Sequence, residues 1–330
     1  MFLDLKPFME RDDFVASDWY DVELEWGYQG GIYGCLSLVT GSAFYINKTL
    51  LEEAGLDWPS NDWTWEDELV CAQALTDPDK NQFGLLDPDA GLAGGGLSQR
   101  IHMNGGSVLN ELYNKCTLAE PEATEAIKYV ADLVFKYKVA PPPAVTEGQE
   151  GFFYTGKAPM WWGFVFRASQ VREAAQAQGF EWDFVGVPKH PETGAGSHYF
   201  ASNAWSVLGN TRYREESWQL VKFLGGVEGQ RIIMMQGLPS FRSLIETPEF
   251  QALWVPQDIN LVIDEFARYG HDGYPTADYS EWTNAMNQEI SAIWSGEATV
   301  DEAIARACAA ADEVFAVRPP YYEKFAPAES

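Results

Sequence analysis

Apolar and polar positions along the 330 residues alternate between short β-prone runs and amphipathic helical stretches. Ile32 to Ile46 is an apolar run that ends in Phe44-Tyr45-Ile46-Asn47-Lys48, and Gly34 and Gly41 interrupt it, which predicts a strand that bends or passes between lobes. Thr64 opens a helix with Glu66 and Asp67 in its first turn, where the helix dipole favours acids, and this helix closes near Thr76. Pro121, Glu122 and Glu125 start another, in which Ile127, Val130, Ala131, Val134 and Phe135 form one apolar face. Lys136 and Lys138 complement the dipole at its end, and Pro141-Pro142-Pro143 stop it. Trp182 to Val187 and Trp205 to Leu208 read as strands, and Trp218, Val221 and Leu224 as a helix face that ends at Gly225-Gly226. Trp282, Ala285, Met286, Glu289, Ile290 and Ile293 line a helix terminated by Gly296; Thr299 and Glu302 then form a capping box for a last helix. Strands alternating with such helices predict an α/β architecture.

Composition narrows the function. The formal net charge of −27 argues against nucleic acid, which needs a surplus of Lys and Arg on one face, and against anionic lipid. No run approaches the apolar length of a membrane span, and MFLDLKPFMERDD has neither the basic flank nor the apolar stretch of a secretory signal. Cys35, Cys71, Cys116 and Cys308 are too scattered for a disulfide scaffold or a zinc cluster; Cys71 and Cys308, on apolar helical faces, read as small buried hydrophobes, which leaves the redox compartment open. His102, His190, His198 and His271 lack partners at metal-ligand spacing and read as surface or loop residues. Gly91 and Gly94-Gly95-Gly96 lack the spacing of a phosphate loop and read as a mobile loop, and Asp77 to Asn81 lacks the glycine and glutamate of a calcium loop and reads as a turn. Neither a metal nor a cofactor is expected. The unusual feature is aromatic: 13 Trp, 15 Tyr and 19 Phe, clustered at Trp161-Trp162-Gly163-Phe164 and at Tyr279 with Trp282. Rings supply core area, and they also offer flat faces to sugar rings.

Several segments together resemble the maltose-binding-protein type of extracellular solute-binding protein, the sugar-binding family of ABC importers. Phe44 to Lys48, Leu51, Ala54-Gly55-Leu56 and Thr64-Trp65-Glu66-Asp67 are similar to its "YNK…aGl…p.TWdE" passage, with Leu75-Thr76 in register. Asn104-Gly105-Gly106 is similar to its "nGG", and Phe152 to Met160 with Gly163 to its "F..GkaAM...G". Trp218 to Leu224, Gly237-Leu238-Pro239-Ser240 and Trp282 through Glu297 continue the series in order. Glu68 departs from it, standing where the helix pattern usually carries an apolar residue; so do Pro159 before Met160, and Cys35 where a proline is common. Leu3 to Met9 is similar to a "dLtpfi" passage that the family reaches only after a leader and a βαβα stretch, so the chain is expected to be a fragment or a relative with a shortened first lobe.

The resemblance implies a two-lobed periplasmic-binding-protein-like fold (type II) with crossovers near residues 41 to 48, 187 to 200 and 236 to 244. Lobe one would hold residues 1–43 and 192–238 and be incomplete, and lobe two 44–191 and 239–330. A sugar or oligosaccharide would bind in the cleft, be buried by hinge closure, and pass to a membrane permease. The resemblance places Trp282 best as a ring-stacking residue; Tyr279, Trp161, Trp162 and Phe164 follow, with Asn104, Asn203, Trp205 and Thr40 as weaker candidates. It implies a periplasmic or lipid-anchored monomer without catalysis. A carbohydrate hydrolase and a non-transporting carbohydrate-binding or sensory module are the alternatives.

Overall fold

The structure, a computed structural model, describes residues 2–19, 26–86, 91–92, 95–142, 150–271, 273, 274, 276 and 278–318. Packing divides the chain into two compact units. The first comprises the chain up to Gly41, Phe164–Arg172 and Phe200–Ile259; the second comprises Ser42–Gly163, Glu173–Tyr199 and the chain from Asn260. The chain therefore passes between units inside the strands Cys35–Asn47 and His198–Trp205, as the glycine-broken run around Gly41 suggests. Residues 239–259 fall in the first unit, where the sequence-based bounds put them in the second, and Phe164–Arg172 joins them. The reason is local pairing: Leu238 and Pro239 add to the long strand at Val39 and Leu38. Buried Gln230 ties Leu36 and Gly225 to Ser240, and Arg172 lies over Trp254 and donates to the Leu253 carbonyl.

In the first unit, Trp205 to Phe200 runs antiparallel to Cys35 to Gly41, with a register shift between Leu36 and Val39. The strand predicted at Trp205 to Leu208 thus lies earlier, at His198–Trp205, because its first residues pair with the long strand and with Gly270–His271. Leu5, Met9, Ile32, Cys35, Val207, Trp218 and Val221 form a core under the helices Lys6–Arg11 and Arg214–Gly225.

In the second unit Leu85–Leu86 pairs parallel with Met160–Phe164, which neighbours the long strand; Phe44 to Asn47 pairs antiparallel with Val185 to Trp182. Around them lie the helices Trp65–Leu75, Gly96–Met103, Pro121–Phe135, Tyr279–Trp294 and Val300–Ala316. The capping box expected at Thr299 with Glu302 forms, and a second one joins Thr64 to Asp67. Pro121 opens its helix, and Ala123, Ala126, Ile127, Val130 and Val134 are buried on one face; Pro143 lies outside the described residues. Gly296, at φ +76°, turns the chain between the last two helices. Gly95 and Gly96 start a helix instead of forming a mobile loop, while Gly94 lies outside the described residues. Asp77 accepts from the amides of Asp79 and Lys80 and makes a plain turn.

Two departures from the sequence reading concern polar groups. Glu68, the odd residue on its helix, is wholly buried and pairs with equally buried Arg100 at 2.7 Å. The Arg100 guanidinium lies over Trp162, Trp65 and Tyr129 at 4.6, 5.2 and 5.5 Å from the ring centres, and the Tyr129 hydroxyl donates to Glu68. Cys308 is no mere hydrophobe: it forms a disulfide with Cys116, 192 residues away, tying the loop before Pro121–Phe135 to the last helix. Replacing Cys116 and Cys308 by serine should lower the unfolding free energy by about 2–4 kcal/mol. Denaturant titration checks this: reductant should bring the parent protein to the variant's midpoint and leave the variant unmoved.

Candidate ligand-binding site

In the second unit, the end of the helix Gly96–Met103 and the loops after it and after Gly270–His271 enclose a pocket of about 460 Å³. Asn104 caps the helix and Gly105, at φ +82°, reverses the chain. The following loop is held by a bridge between Leu109 and Cys116 and by the Asn110 carboxamide, which takes the amides of Asn114 and Lys115. That loop carries Glu111 and Tyr113 to one side of the pocket; His102, His271 and Tyr274 line it too, and Glu120 stands at the start of the next helix.

Tyr274 is the hub. Its hydroxyl accepts the Val108 amide at 2.9 Å and lies 3.2 Å from Ser107 Oγ and 3.4 Å from His102 Nε2. Its ring meets Trp282 and Tyr113 edge-on. Burial pushes the Tyr274 hydroxyl up from its ordinary pKa. The His102 and His271 rings lie 4.2 Å apart, and burial, aided by the His271 charge, pushes His102 down to about 3, so it stays neutral. Arg318 bonds Asp278 through two nitrogens at 2.5 and 3.0 Å and donates to the Tyr113 carbonyl, which fixes the far side of the loop.

In the first unit, half-buried aromatic side chains pack against the strand His198–Trp205. Trp26 donates its indole N–H to Ser202 at 3.0 Å, Trp19 packs against Phe200 at 5.6 Å, and the Arg242 guanidinium lies over Trp19. Asp18 accepts the amides of Arg242 and Ser243 and holds that segment in place.

The residues proposed from sequence fall differently. Trp282 has no exposed surface: its indole N–H bonds Thr276 at 2.8 Å and its edge backs Tyr274, so it supports the pocket wall instead of offering a face. Tyr279, half-buried, packs edge-on against Trp282. Trp161 is buried and stacked on Tyr45, and Trp162 is in the core beside Arg100. Asn104 spends its amide on the Glu122 carbonyl. In the first unit Phe164 stacks on Phe166, Thr40 sits opposite Ala201, Asn203 is exposed, and Trp205 is 40% exposed. Tyr274, Tyr113, His102 and His271, which line the pocket, were not among the sequence candidates, although the Gly-Tyr-Pro stretch before the Tyr279 helix marks a loop. His198, read as a surface residue, is buried and bonds Glu265 at 2.8 Å; His190 packs edge-on against Trp65.

A model of the family described as bacterial extracellular solute-binding protein matches residues 1–231. A binding protein of Brucella abortus is 27% identical over 204 residues, 59% of this chain and 47% of that protein, so the match spans about half the length of such curated relatives. Among solved structures, an ABC substrate-binding protein of Listeria monocytogenes in complex with cycloalternan superposes with a TM-score of 0.86 at 22% identity, covering 96% of this chain and 81% of that one. Maltose-bound MalE3 of T. maritima gives 0.80 at 19% identity over 95% and 80%. These likenesses show the mixed α/β fold of maltose-binding-protein-like solute receptors.

Because the folded protein keeps His102 neutral down to about pH 3 while the unfolded chain takes the proton near the ordinary 6.5, stability falls as pH drops through that window and is complete above it. Relative to His102→Gln, the parent protein should lose up to about 2 kcal/mol between pH 7.5 and 5. Urea midpoints of both proteins at the two pH values test it; parallel curves would contradict it.

Proposed function

The chain belongs to the bacterial extracellular solute-binding protein family, and we propose that it is the substrate-binding component of an ABC importer, taking up a sugar or oligosaccharide for delivery to a membrane permease. The observation that carries this reading is the pocket around Tyr274, whose mixture of ring faces and hydroxyl, imidazole and carboxylate groups suits a polyhydroxylated ring. Relatives of the same fold carry cycloalternan and maltose, which favours the same ligand chemistry here.

The Cys116–Cys308 disulfide favours an oxidising compartment outside the cytoplasm, in keeping with the family's description. No helix among the described residues is long and apolar enough to cross a membrane. Binding is proposed without turnover, by a monomer: the ligand leaves unchanged.

A panel of neutral mono- and oligosaccharides, followed by tryptophan fluorescence and calorimetry, should yield a ligand. Tyr274→Ala should weaken it more than tenfold, about 1.4 kcal/mol or more. Released reducing ends would turn the reading towards a hydrolase, and full affinity in Tyr274→Ala would move the site elsewhere.

A further inference from the structure

We infer that the pocket selects uncharged or amino-bearing sugars and refuses anionic ones such as uronic acids and sugar phosphates. The inference rests on the solute-binding reading above and adds the charge class of the ligand. The side chains lining the pocket include two carboxylates, Glu111 and Glu120, and no Lys or Arg among the described residues. Outside the described residues the sequence holds a single cation, Lys324. Arg318, close behind Tyr113, spends its guanidinium on both oxygens of Asp278 and on the Tyr113 carbonyl, and does not line the pocket. Lys115, on the same turn as Tyr113, is exposed and does not line it either. The imidazole of His102 is kept neutral by burial and by its neighbour His271, so the histidine pair supplies hydrogen bonds, not a pair of positive charges.

An anionic group moved into this space would lose its water without meeting a Lys or Arg side chain and would face two carboxylates of like charge. The protein's net charge of −27 adds a repulsive field on approach. A hydroxyl group or an ammonium meets neither obstacle: hydroxyls have Tyr274, Ser107 and the imidazoles as partners, and an ammonium has the two carboxylates.

Calorimetry on the full chain with matched neutral, 2-amino and uronic-acid sets built on glucose, galactose and mannose tests this. At least one neutral or amino sugar should bind, with its uronic acid at least tenfold weaker. The double variant Glu111→Gln/Glu120→Gln should narrow that gap, as should raising salt from 20 to 300 mM, because exposed carboxylates act through a screened field. A uronic acid that binds as tightly as its neutral parent overturns the charge inference and leaves the solute-binding reading standing. A gap unmoved by the double variant overturns the role of the two carboxylates. Absence of binding across the neutral, amino and acid members overturns both readings.

Discussion

A buried ion pair organises the second unit. Taking Glu68 and Arg100 out of water is costly, and their pairing at 2.7 Å offsets that cost only because three aromatic rings and the Tyr129 hydroxyl complete the cage. Removing either partner alone would leave a charge stranded in the core, a loss of about 3–5 kcal/mol. The pair joins three elements of the core: the helix Trp65–Leu75, the helix Gly96–Met103, and the strand bearing Trp162.

What it anchors is what the site needs. The helix fixed by Arg100 presents Gln99 on one turn and His102 on the next. Gln99 Oε1 accepts from Ser42 Oγ at 2.6 Å and from the Tyr199 amide at 3.1 Å, so it grips both strands where they enter the second unit. His198, on one of those strands, lies 3.0 Å from the Ser42 carbonyl and 2.8 Å from Glu265. Glu265 accepts the Val187 amide in turn. His102 reaches the pocket beside Tyr274. One short helix thus sets the strand entries and the pocket wall together. Rigid support of this kind keeps polar groups at fixed positions when a ligand replaces water.

The sequence made the helices and their limits legible, because capping boxes, Pro121 and Gly296 act through local chemistry. The long strand and its passage at Gly41 were readable for the same reason. What stayed hidden depends on partners distant in sequence. Glu68 stood out only as an oddity until Arg100, 32 positions on, explained it. Cys116 and Cys308 look like isolated thiols until the fold brings their Cα atoms to 5.2 Å. Of the sequence candidates, Trp282 lies next to the pocket but is wholly buried, and the polar contacts of the pocket wall go to Tyr274, in a loop with no periodicity to expose it.

The account stands or falls on whether a sugar occupies the pocket framed by the anchored helix. Amide hydrogen exchange with and without the tightest-binding neutral sugar reads this directly. Slowed exchange is expected from residues 102 to 113, above all at the Val108 amide bonded to Tyr274, and at residues 271 to 274. Binding that leaves these segments unchanged while slowing others would contradict it.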